Sequence, residues 1–162
     1  MTLAVNALHK GIYDRLVIRI GSNVYSHIPQ ASAFPYVVIG EKTSIPFRTK
    51  TGDGQEITVT LHAWTQGSGD KACADLMQSV YRALDRQENA VDVEGYDLTE
   101  ITCEFNQLLP DTGDEAEPDR YYHGVMRFRA IVQEQEFPGS EFLLESGYGL
   151  LLETGDNLLM EA

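Results

Sequence analysis

Basic residues are scarce in this chain: 12 Lys and Arg stand against 25 Asp and Glu, for a formal net charge of -13. Gripping nucleic-acid phosphates requires clustered Lys and Arg, so the balance argues against nucleic-acid binding. Long hydrophobic runs are missing as well. No stretch of 18 apolar residues occurs, and the opening MTLAVNALHKGIYDRL has no basic region followed by an unbroken apolar one. These absences predict a soluble protein made in the cytoplasm, with no signal peptide and no membrane association. Cysteine is limited to Cys73 and Cys103, neither in a CxxC or Cys/His spacing, so both are read as buried thiols rather than zinc ligands.

Catalytic motifs are equally sparse. Ser68 lies in GSG, not in a GxSxG elbow. Gly67 and Gly69 precede a helical pattern but lack the lysine of a phosphate-binding loop, and Asp70 stands at that end. The carboxylates between Asp111 and Asp119 do not have EF-hand spacing and read as a solvated turn. His62 and His123 fall on strand patterns and could meet across a sheet. A hydrolase would need them beside an acid in a pocket, which the sequence alone does not supply. No metal and no cofactor is expected.

What is present is architecture. With 162 residues, 43% hydrophobic and 23% charged, the chain suits one globular domain with an appendage. Val5, Leu8, Ile12 and Leu16 recur at helical spacing, which predicts a helix from Thr2 to about Leu16 with Thr2 as cap. The next segment, rich in Gly, Ser, Asn and Pro, reads as a loop or short edge strand around Val24 and Tyr25. PYVVIGE, from Pro35 to Glu41, is a buried strand pattern. Thr43 to Asp53 contains Arg48 and Lys50, a small basic island, and has two readings: a long hairpin arm projecting toward a partner, or a solvated loop.

From Gln55 to Trp64 the alternation is clean. Ile57, Val59, Leu61 and Ala63 share one face, and Glu56, Thr58, Thr60, His62 and Trp64 share the other. A turn with Ser68 or Asp70 as cap leads into a helix whose apolar face is Cys73, Leu76, Met77, Val80 and Leu84. Val91 and Val93 form a weak pair in a polar connection. Two further strands follow, one with Ile101, Cys103 and Phe105 inward, the other with Tyr122, Met126, Phe128, Ala130 and Val132 inward, joined by the acidic turn as an antiparallel pair.

The order predicts an α+β domain, residues 1–137, with two helices packed on one face of a largely antiparallel sheet. Residues 138–162 form a Leu/Glu/Gly-rich extension, FLLESGYG, LLLETGDN, LLME, in which Leu144, Leu152 and Met160 fall eight apart. Its units either pair with a neighbouring sheet edge or form a low-complexity tail.

Four stretches together carry a resemblance: P-Y-V-x-I-G at Pro35 to Gly40, V-x-L-x-x-W at Val59 to Trp64, the Ala74 to Leu84 helix ending V-Y-x-A-L, and H-G-V-x-R-F-R at His123 to Arg129. From Leu3 to Glu134 the chain resembles the tail-completion or tail-terminator proteins of long-tailed phages and gene transfer agents. The resemblance implies a virion structural protein, not an enzyme, forming a hexameric ring of identical subunits. Such a ring would sit at the head-proximal end of the tail tube, stop tube polymerisation, and meet both the tube protein and the head-tail connector. DNA would pass through its lumen without specific binding, which an acidic chain suits. Candidate contacts for a subunit or the tube are Arg48, Lys50, Glu56, Thr58, Thr60, His62, Trp64, Leu144 and Leu152. A lone Trp on the polar face of a long strand is costly unless something covers it. The alternative is a small monomeric binding or assembly module.

Overall fold

The computed structural model describes residues 3–50, 52–110 and 120–135. Helix α1 spans Val5–Ile20 and α2 spans Lys71–Leu84, while strands β1 (Val24–Tyr25), β2 (Tyr36–Arg48), β3 (Asp53–Gly67), β4 (Tyr96–Pro110) and β5 (Arg120–Glu134) build one sheet. Its order is β1-β2-β3-β5-β4. Only the β1–β2 pair is parallel; the other three pairs are antiparallel. The α+β class with a largely antiparallel sheet is therefore the one observed. No helix among the described residues is long and apolar enough to cross a membrane.

The strand alternation sets what lies under the helices. Ile57, Val59, Leu61 and Ala63 of β3 and Met126, Phe128, Ala130 and Val132 of β5 are buried in a single core with Leu8, Ile12 and Leu16 of α1 and Cys73, Met77, Val80, Ala83 and Leu84 of α2. Each large apolar side chain so buried contributes about 1.5–3 kcal/mol before conformational entropy is set against it. The expected face of α2 is modified at two positions: Leu76 is only partly buried, and Ala83 joins the core.

Several local expectations are corrected. Helix α1 continues past Leu16 to Ile20, where Gly21, at φ 101°, ends it and donates its N–H to the Val17 carbonyl. That left-handed value suits glycine. Thr2 lies outside the described residues. The N-cap position is Ala4, whose side chain cannot cap; its N–H is instead accepted by Gln55 Oε1 of β3 at 3.0 Å. Asp70 occupies the N-cap position of α2 but makes no side-chain capping bond. Val91 and Val93 are fully part of the core, because the connection they lie on packs across α1: a Cβ on Gly11 would stand 2.0 Å from the Asp92 carbonyl oxygen.

The segment Thr43 to Arg48 is paired strand, in register with Asp53 to Thr58, so the loop reading is overturned. Its turn is closed by Thr49, whose N–H and hydroxyl both donate to the Gly52 carbonyl at 2.9 Å. Pro46 is tolerated there because β1 covers β2 only at Val37 and Val38, leaving the rest of β2 an edge strand that needs no further donor.

Phe105 was expected inward and faces outward, 42% exposed. The register of β4 on β5 shifts twice, between Leu98 and Glu100 and between Cys103 and Phe105. Each extra residue reverses the alternation beyond it. Leu98, Ile101 and Cys103 thus pair with core residues of β5, while Phe105 pairs with Arg127 on the other face. Cys73 is buried as expected, but Cys103 is only partly so.

Candidate functional site

Both helices lie on one side of the sheet, and the opposite side carries the other half of every alternation. Across four strands, Tyr36, Trp64, His123 and Leu109 lie in register as a row on this side. The indole of Trp64 stacks on His123 with ring centroids 4.0 Å apart and planes inclined by 6°. Tyr36 is buried under its neighbours, with Phe34 at 5.1 Å and Tyr25 at 6.1 Å, and Phe34 also meets Tyr121 at 5.3 Å. An aromatic cluster therefore occupies one end of the uncovered face.

The next row contains Val38, His62, Val125 and Gln107. His62 Nδ1 lies 2.9 Å from His123 Nε2, and His62 Nε2 lies 3.1 Å from Glu41 Oε2. An ionised carboxylate only accepts, so Nε2 of His62 carries the proton and its Nδ1 accepts from Nε2–H of His123. Gly40 makes room for this arrangement: a Cβ there would stand 2.8 Å from the His62 ring. Burial, and then the neighbouring His62, push the His123 pKa below the ordinary histidine value. The hydrogen bond from His62 holds Glu41 below the ordinary carboxylate range. Two histidines and an acid do come together, but on an open sheet face. The Glu41 side chain is 76% exposed. A cavity among the described residues lies elsewhere, between α2 and β4.

Toward the other end of the face the aromatics give way to charge. Arg129 of β5 reaches Glu56 of β3 at 2.8 Å and Glu100 of β4 at 3.1 Å, and lies 3.9 Å from Glu104. Its pKa is raised, first by the bond to Glu56, whose own carboxyl is lowered by the same bond. Arg127 lies 3.8 Å from Glu104 and its guanidinium stands 5.8 Å from the centre of the Phe105 ring. Three strands are thus tied together on their outer face by one guanidinium.

Of the residues singled out from sequence, Glu56, Thr58, Thr60, His62 and Trp64 share this face. Arg48 and Lys50 do not: they sit at the hairpin tip, where Arg48 lies 3.6 Å from Asp53, at the far end of β3 from Trp64. Leu144 and Leu152 lie outside the described residues. Sequence reasoning missed Tyr36, Glu41 and Arg129. Tyr36 and Val38 were legible from alternation with Val37 and Ile39, but a run of apolar residues hid it. Glu41 was not legible, because the register of β2 shifts between Ile39 and Lys42.

The family model described as "Tail completion protein gp17" matches residues 3–133. A tail completion protein gp17 of Bacillus phage SPP1 is 27% identical over 135 residues, covering 80% of this chain and 95% of that protein. A chain in the solved virion of a native gene transfer agent particle shares the fold with a TM-score of 0.63 and 21% identity, over 82% of this chain and 99% of that one. The chain belongs to the tail completion protein gp17 family, a family of structural phage proteins rather than enzymes.

Proposed function

We propose that this protein completes the tail of a phage or phage-like particle as a ring of identical subunits, in the expected form a hexamer, at the head-proximal end of the tail tube. The ring ends tube polymerisation and offers its other surface to the head-tail connector, and DNA passes through a lumen that does not bind it specifically. The observation that carries this reading beyond family membership is the uncovered sheet face. It holds Trp64 stacked on His123, half-buried beside the buried Tyr36, on the side that the described helices leave open. A stacked Trp on an open face is the kind of anchor that subunit contacts use. An acidic chain, net -13, suits a channel for DNA because it repels phosphate.

The experiment is native mass spectrometry and light scattering on the purified protein, alone and with isolated tail tubes. The expected result is a species of six chain masses, at least on tubes, and tubes that stop elongating. A Trp64→Ala variant should keep its far-UV circular dichroism and lose ring formation. A protein that stays monomeric even with tubes overturns the ring and leaves the monomeric assembly module in its place.

A further inference from the structure

The two edges of the sheet carry opposite charge. Strand β4 is the outer strand beyond β5, and one side of its backbone has no strand partner among the described residues. Over its middle that edge is closed by the connection from α2. Asp85 Oδ1 accepts the N–H of Cys103 at 2.8 Å, Glu88 Oε1 accepts the N–H of Ile101 at 3.2 Å, and the Arg86 N–H donates to the Ile101 carbonyl at 2.8 Å. A neighbour approaching this edge therefore meets the connection, which from Asp85 to Asp97 holds five acids and one base, Arg86. Val91 and Val93 are anchored in the core, and the alternation turns Asp92 and Glu94 outward, both exposed. Neither makes an ion pair among the described residues. Lys10 of α1 lies close enough to sense both but bonds to Asp14 at 3.2 Å. At the β2 edge the sign reverses: between Lys42 and Asp53 stand three bases, Lys42, Arg48 and Lys50, and one acid, Asp53. Past Val38 this edge has no strand partner among the described residues, and the Arg48 side chain is 84% exposed at its tip, with Lys50 exposed beside it.

We infer that Arg48 and Lys50 at the hairpin tip of one copy dock on Asp92 and Glu94 of the next, and that this contact repeats head to tail around the ring. The inference rests on the ring proposed above and names its lateral contact. Phe47, Gly54, Gln133 and Asp97 form one row across β2, β3, β5 and β4, so the tip and the acidic connection stand at the same end of the sheet. Three strand spacings, about 14 Å, separate them, and no ion pair joins the two within a chain among the described residues. The partner that satisfies both is thus a second copy of this chain. Because the patches lie on opposite edges, a single neighbour beside the sheet cannot engage both, and each copy uses one patch toward each of two neighbours. That is a heterologous contact, the kind that generates a ring when its rotation closes. Rim charges of this sort set register and bar wrong neighbours more than they add affinity: tip against tip, or connection against connection, opposes like charges. The contact lies at the far end of β3 from Trp64, so it adds to the open face as a second surface.

The test uses the full chain with isolated tail tubes and native mass spectrometry. Two variants each reverse one patch, Arg48→Glu/Lys50→Glu and Asp92→Lys/Glu94→Lys, and circular dichroism checks that both are folded. Each alone should raise the concentration at which the six-chain species half-forms by about tenfold or more. Mixed in equal amounts they should restore it, with three chains of each mass, because every contact in an alternating ring again pairs opposite charges. All four substitutions in one chain should restore it as well. Variants that each assemble as wild type does overturn the pairing and leave the ring standing. So does a mixture of folded variants that stays monomeric while wild type assembles, or one that stops at two chains. A wild-type chain that stays monomeric even with tubes overturns ring and pairing together.

Discussion

Glycine at two positions lets elements approach more closely than any other residue allows, and the two differ in what stands opposite. A Cβ on Gly11 would meet the Asp92 carbonyl oxygen at 2.0 Å, a backbone atom held by the Val91 and Val93 anchors. A Cβ on Gly124 would meet Met77 Sδ at 2.5 Å, the far end of a flexible side chain. Overpacking costs about 1–3 kcal/mol. Gly11→Ala is therefore expected at about 3 kcal/mol and Gly124→Ala at about 1 kcal/mol, read from urea midpoints at constant slope. Equal costs would mean that the α1 contact gives way as easily as a methionine. Neither contact was legible in the sequence. Glycine inside a helix pattern or a strand pattern signals a close approach but never names its partner. Gln55 was hidden for a related reason: it reads as the polar start of a strand and is 1% exposed, accepting from Ala4 N–H and from the Ser44 hydroxyl.

Two histidines give the protein a pH dependence with a definite sign. His123 is pushed down by burial and then by His62, and His9 by burial and then by Lys42. In the unfolded chain both titrate near 6.5. As pH falls through that value the unfolded state takes up protons that the folded state resists, so stability drops below about pH 6.5 until the folded values are passed. The Glu41 and Glu56 contributions run separately: both carboxyls are lowered on folding, so theirs persists to the ordinary carboxylate range and is lost only as pH falls further. Urea midpoints should therefore fall between pH 7.5 and 5.5, and a His9→Gln/His123→Gln variant should lose much of that difference. Identical wild-type midpoints at the two pH values would refute the assignment.

At the scale of elements, period and composition marked both α-helices and the long strands, but neither the short 3-10 helix Glu88–Ala90, expected as plain connection, nor where two strands slip. The faces of β3 were read correctly from Gln55 to Trp64 because nothing interrupts its pairing with β5, but the strand runs from Asp53 to Gly67, so Thr65 to Gly67, expected in the turn, are strand. In β4, two register shifts reverse the faces, and an unbroken alternation drawn through Phe105 put it on the wrong side. The bulged strand is also the one whose edge is protected by side chains rather than by another strand. Asp85 is the strongest of these protectors by distance, at 2.8 Å from the Cys103 nitrogen. Asp85→Ala should release that amide, with exchange at Cys103 faster by roughly tenfold, the equivalent of about 1.4 kcal/mol. Exchange at Phe128, on the adjacent strand, should not change. An unaltered Cys103 rate would show that the Arg86 bond to Ile101 closes the edge by itself.

For the whole molecule, the sequence showed which face of β3 would be outermost but not what stands on it. Trp64 was visible as a misfit on a polar face. Its stacking on His123, and the Glu41–His62–His123 chain beside it, needed the pairing of β3 with both β2 and β5. The boundary expected near Pro138 also belongs to this scale, and we propose it as the end of the folding unit. Among the described residues, the hydrophobic core runs from Ala4 to Val132. A chain ending at Phe137 should thus unfold in one cooperative transition. Its Tm should stay within about 2–4 °C of the full chain's, the shift that a change of about 1 kcal/mol brings in a protein of this size. A melt that broadens or disappears on truncation would place the extension inside the core.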